Sequence, residues 1–179
     1  MAYPTTLKTN PLTLRYQGIF DLDALYSMVM MWYWQREYKF DESAYKHKVP
    51  FPTGAEQEVS FLGEKNVTDY YKYTIKVEFH TWDQRDIEVN IEGVKKNLTT
   101  ARIEIKIAGI LELEKNITKK DKVSKFFGNL YRKYIVRKEI EALWYDTLYY
   151  ETYKLHYEIK KLLDMQTKYN EYRGYLGEQ

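Results

Sequence analysis

The 179-residue chain contains no cysteine. Disulfides, thiolate metal sites and cysteine nucleophiles are excluded at once. No apolar run approaches the roughly 18–20 residues of a membrane-spanning helix. Met1–Pro11 carries Lys8 without an apolar stretch behind it, so it does not read as a signal peptide and the expected location is cytoplasmic. The sequons at Asn66, Asn97 and Asn116 then read as chance occurrences near turns, where Asn and Thr are common. The nucleophile elbow, the phosphate-binding loop and the dinucleotide fingerprint are all missing.

Histidine is scarce as well. His47, His80 and His156 lie in three separate segments, with none of the short spacings that place two ligands on one helix face. His80, followed by Trp82 and Asp83 at a strand end, is the most interesting of them, but the expectation is no metal and no cofactor. The carboxylate pairs Asp21/Asp23, Asp41/Glu42 and Asp83/Asp86 are close neighbours in sequence. Glycoside hydrolysis needs two carboxyls held across a cleft, which such neighbours do not indicate. Capping accounts for the first pair and a turn for the third. The chain is therefore not expected to be an enzyme.

Hydrophobic residues make up 44% of the chain and charged residues 30%, proportions of a globular protein. The length suits one domain over 1–179, divided into a strand, helix and meander to 118, C-terminal helices over 119–170 and a tail over 171–179. Leu12, Leu14 and Tyr16 alternate as in a strand. Asp21 then stands where a helix N-cap belongs, and a helix is expected to about Glu37. Apolar residues surround that helix almost completely, which predicts cover on two sides. Residues 38–48 alternate again, and Pro50–Gly54 reads as a break. The following meander has strands marked by Val59 and Phe61, by Tyr71 through Phe79, by Ile87 through Ile91 with a turn at Glu92-Gly93, and by Ala101 through Leu113. Gly109 reads as a bulge or bend. Polar residues on the alternate positions predict an antiparallel sheet with one wet face. Tyr73, Val77, Ile103 and Ile107 are its expected buried set. From Lys119 to about Lys168 the period is helical; one helix of that length would outrun the domain, so a break is expected near 135–139.

Segregated strands and helices make the fold class α+β, with an antiparallel β-meander and a long C-terminal helical region packed on the sheet. In element order this resembles the helix-grip proteins, the START-like and Bet v 1-like groups, which implies a cavity for an apolar ligand. Separately, Tyr16-Gln17-Gly18-Ile19-Phe20-Asp21-Leu22-Asp23, Tyr45-Lys46-His47-Lys48-Val49-Pro50 and Phe79-His80-Thr81-Trp82-Asp83 resemble phrases of an uncharacterised protein family of small-genome archaea, which implies no known activity.

Three surfaces are candidates for binding. Residues 119–138 hold eight Lys/Arg against one acid, a net +7 within a chain of net +2, with Phe and Tyr interleaved. Lys125, Arg132, Lys133, Arg137 and Lys138 could engage the phosphates of RNA, a ribosome or another nucleic acid, or form the solvated side of an amphipathic helix. In the C-terminal helix, Trp144, Leu148, Leu155, Ile159 and Leu162 form a core stripe, while Tyr145, Tyr149, Tyr153 and Tyr157 recur every fourth residue on a different arc. Nineteen tyrosines in all, and this ladder in particular, suit an interface with a protein partner or a second copy of the chain. Lastly, Tyr71, Tyr73, Phe79 and Ile105 would line the pocket of an apolar-ligand carrier. The protein-binding reading comes first, the carrier second and the nucleic-acid reading third.

Overall fold

The computed structural model describes residues 6–51, 54–68, 71–91, 94–113 and 140–165. The strands are β1 (Thr6–Lys8), β2 (Leu12–Phe20), β3 (Lys39–Phe51), β4 (Gly54–Asn66), β5 (Tyr71–Ile91) and β6 (Val94–Leu113). Helix α1 (Leu22–Gln35) follows β2, and helix α2 (Asp146–Leu162) is entered through a wider π-helical segment, Ile140–Tyr145. All six strands join one antiparallel sheet in the order β1-β6-β5-β4-β3, with β2 also pairing β6. The class is α+β, as the patterning predicts.

Alternation divides the sheet into two faces. On the covered face lie Leu14 and Phe20 of β2, Val59 and Phe61 of β4, Tyr73, Ile75, Val77 and Phe79 of β5, and Ile103, Ile105, Ile107 and Leu111 of β6, all buried. Both helices pack there. Leu25, Val29, Trp32 and Tyr33 of α1, and Leu148, Leu155 and Ile159 of α2, complete one core. The Asp21 side chain accepts from the Ala24 amide at 2.8 Å and caps α1. Each helix ends on an acidic residue in the left-handed region, Glu37 (φ 60) and Asp164 (φ 52), where glycine is commoner. The amides that follow return to the helix: Tyr38 donates to the Tyr33 carbonyl at 3.0 Å and Met165 to that of Lys160 at 2.9 Å.

Several sequence expectations change. β1 was not anticipated; it continues the edge begun by β2 along the same side of β6. Between them Thr9 donates its amide to the Gly109 carbonyl at 2.9 Å and accepts the Gly109 amide on its hydroxyl at 2.8 Å. Gly109 is neither bulge nor bend. It stands in unbroken register opposite Ile75, and its missing side chain admits α2. Tyr71–Phe79 and Ile87–Ile91 are not separate strands but one, continued through a bulge between Trp82 and Arg85. The register before and after differs by one residue, so Ile87 and Val89 pass to the face opposite Phe79, while Asp86 meets Thr99 on the covered side. Pro50 lies inside β3, at an edge and within a register shift, where a missing amide is tolerated. α1 is not covered on two sides among the described residues: Met30, Met31 and Trp34 are exposed. α2 stops at Leu162 rather than near Lys168. The expected Glu92-Gly93 turn, the break near 135–139 and the basic segment lie outside the described residues.

Candidate functional site

The helical layer has a buried side and an outer side. On the outer side of α1, Trp34 is 75% exposed, with Met30 and Met31 beside it in sequence and also exposed. On the outer side of α2 and its lead-in, Tyr150 is 63% and Tyr157 54% exposed, and Leu143 and Tyr153 are exposed too. These side chains are not needed to dock the helices, since each helix already buries a full apolar stripe.

The tyrosine ladder does not behave as a unit. Tyr145 and Tyr149 are half-buried, and the Tyr145 hydroxyl donates to the Lys8 carbonyl at 3.4 Å. Tyr149 donates to the Tyr153 hydroxyl at 2.9 Å, with ring centroids 4.5 Å apart. That bond holds the Tyr149 proton and raises its pKa, with burial adding to the effect. Tyr153 and Tyr157 are the exposed members, joined by Tyr150 and Trp34, which lie outside the every-fourth-residue pattern. His156, 6.1 Å from the Tyr153 ring, has its pKa lowered by burial and then by Lys160.

Tyr71, Tyr73, Phe79 and Ile105 lie on the covered sheet face. Ile105 is fully buried, Phe79 packs edge-on against Phe61, Tyr71 stacks on Trp144, and the Tyr73 hydroxyl donates to the Trp144 carbonyl at 2.7 Å. Burial pushes the Tyr73 pKa up to about 12. Lys125, Arg132, Lys133, Arg137 and Lys138 lie outside the described residues.

The opposite sheet face carries a polar constellation. A groove of about 490 Å³ is lined by Lys46, Glu58, Lys76, His80, Glu104 and Lys106, among others. The flanking cations Lys106 and Arg15 hold the Glu104 carboxyl below its ordinary pKa, the Lys106 bond contributing most; Glu104 in turn raises the pKa of Lys106. At one end His80 Nε2 lies 2.7 Å from Glu56 Oε1 and 3.8 Å from Glu58 Oε1. Glu58 pairs directly with His80 across β4 and β5, and Glu56 is the residue at which the β4 register shifts. The His80 ring stacks on Trp82 at 3.8 Å and 30°. Arg102 in turn lies over Trp82 and holds Asp83 with Nε at 2.8 Å and Nη2 at 2.7 Å. Asp83 is the left-handed residue of the bulge (φ 56), and Gly54 (φ 140) packs so closely on its backbone that a Cβ there would collide with it.

Short helical spacings do not reveal this cluster. Its signal is that of strands: two glutamates at i and i+2 share a face, and a histidine on the next strand falls opposite one of them. Comparison with known proteins finds no family model and no curated protein that matches the chain.

Proposed function

We propose that this chain is a non-enzymatic binding or assembly protein that holds a protein surface, its own second copy included, against the outer side of its helical layer. One observation supports this above all. Trp34, Tyr150, Tyr153 and Tyr157 project from that side although both helices are already anchored by other residues. Large rigid rings with a polar edge are the residues that dominate protein interfaces, and soluble monomers rarely display many of them together. Compared with the sequence reading, the contact residues shift away from Tyr145 and Tyr149 and toward Tyr150 and Trp34.

The test is sedimentation across micromolar concentrations, together with crosslinking in an extract of the source cell. Wild type should self-associate or crosslink to one defined protein. The variant Trp34→Ser/Tyr150→Ser/Tyr153→Ser/Tyr157→Ser should lose that association and still unfold cooperatively. A wild type that stays monomeric and crosslinks to nothing, or a variant that associates unchanged, would overturn the reading.

A further inference from the structure

The geometry points to a divalent transition-metal site formed by Glu56, Glu58 and His80, on the sheet face away from the helices and independent of the surface proposed above. One ligand atom from each residue lies within 4.8 Å of the other two, all three side chains are half-buried, and Glu58 and His80 also line the groove.

Charge supports the assignment. Two carboxylates converge on a single imidazole nitrogen, which can offer a proton to only one of them. Glu56 takes that position at 2.7 Å, leaving Glu58 at 3.8 Å. A dication between the three would satisfy both carboxylates together and take the Nε2 lone pair, the Nε2 proton moving to Nδ1 or leaving to solvent as the metal binds. The adjustment needed is small. Ligands about 2.0–2.1 Å from zinc in a tetrahedron stand roughly 3.3 Å apart, so one separation opens slightly and the other closes.

The surroundings are those of a held site rather than three free side chains. Trp82 stacks on His80 and fixes its ring plane, and the Arg102–Asp83 pair fixes Trp82. Such outer contacts orient ligands and sustain affinity in metal centres. Lys46 reaches Glu58 through Oε2 at 3.5 Å, the oxygen turned away from His80, and leaves Oε1 facing the cluster. The bulge at Asp83 and the register shift at Glu56 lie side by side on β5 and β4, and such irregularities commonly re-aim side chains.

The donor set selects the class of metal. Calcium and magnesium prefer oxygen ligands alone, whereas an imidazole beside carboxylates suits zinc and its transition-metal neighbours. Three protein ligands leave a coordination position open toward the groove.

Protein stripped with EDTA and titrated with zinc chloride against a chromophoric chelator should bind one zinc per chain. His80→Ala, Glu56→Gln and Glu58→Gln should each weaken binding by at least about tenfold, and Trp82→Leu by about tenfold. His156→Ala should leave it unchanged, and Lys46→Met should tighten it by removing a competing cation. Cobalt should give a visible absorption band that His80→Ala abolishes, with far-UV circular dichroism confirming that each variant is folded. Absence of saturable zinc binding, affinity unchanged in the folded glutamine variants, or equal competition by calcium would overturn the assignment.

Discussion

A β-carbon at Gly63 would overlap the ring of Tyr33, and one at Gly109 would stand 3.0 Å from the side chains of Leu148 and Thr152. The two glycines thus set how closely α1 and α2 approach the sheet, but unequally. Tyr33 is fully buried, and its hydroxyl donates to the Ile75 carbonyl at 3.0 Å, so its ring has nowhere to go. Gly63→Ala should therefore cost about 2–3 kcal/mol, in the upper range for overpacking, and Gly109→Ala clearly less. Urea denaturation of the two variants checks the order. The same buried rings make a pH prediction. Burial raises the pKa of Tyr33, and burial followed by the bond to Glu151 raises that of Tyr38. Unfolded tyrosine ionises near pH 10, and a raised folded value means that the native state keeps protons the unfolded state gives up. Their contribution is complete below about pH 10 and is lost as pH rises above it, by up to about 1.4 kcal/mol per pH unit for each of the two. Tyr38→Phe should lower stability at neutral pH and flatten the alkaline decline, as read from melting temperatures between pH 8 and about pH 12.

At the scale of elements, legibility followed period and failed at irregularity. The runs Tyr71–Phe79 and Ala101–Leu113 alternate so regularly that their buried sides, Tyr73, Val77, Ile103 and Ile107 included, could be read directly. The stripe Leu148, Leu155 and Ile159 was equally plain, because a 3.6-residue period has one solution. Between Trp82 and Arg85 the alternation changes phase, and a phase change looks like the end of one strand and the start of another. That is why one 21-residue strand read as two. β1 is three residues long, too short for any period to show. The helix ends were blurred because Glu37 and Asp164 occupy positions where glycine would have announced a stop. The Glu56–Glu58–His80 cluster went unread for a related reason. Its members come together only through the register of β4 on β5, and register is a property of a pair of strands rather than of a segment.

Across the whole molecule, one layer of strands separates an aromatic helical surface from a charged sheet face. No helix among the described residues is long and apolar enough to cross a membrane. The hairpins β3–β4, β4–β5 and β5–β6 each join neighbours in the chain, but among the described residues β1 and β2 pair with β6 alone, whose partner residues come 79 (Phe20↔Thr99) to 106 (Thr6↔Glu112) positions later. That topology gives the protein a schedule. On a ribosome adding about 5–20 residues per second, the first two strands must wait roughly five to twenty seconds for their partner β6 to be made. In the interval α1, with Trp32 and Tyr33 destined for the core, has no finished sheet to lie on. Refolding should keep the same order, because closing a long loop is slower than closing a hairpin. In pulse-labelled hydrogen exchange, the β4 and β5 amides should become protected before those of β2; simultaneous protection would show that the long-range pairing forms early instead. The β1–β2 edge is thus made well before the strand that secures it, so the nascent chain must carry an unpaired strand and a largely apolar helix until β6 emerges.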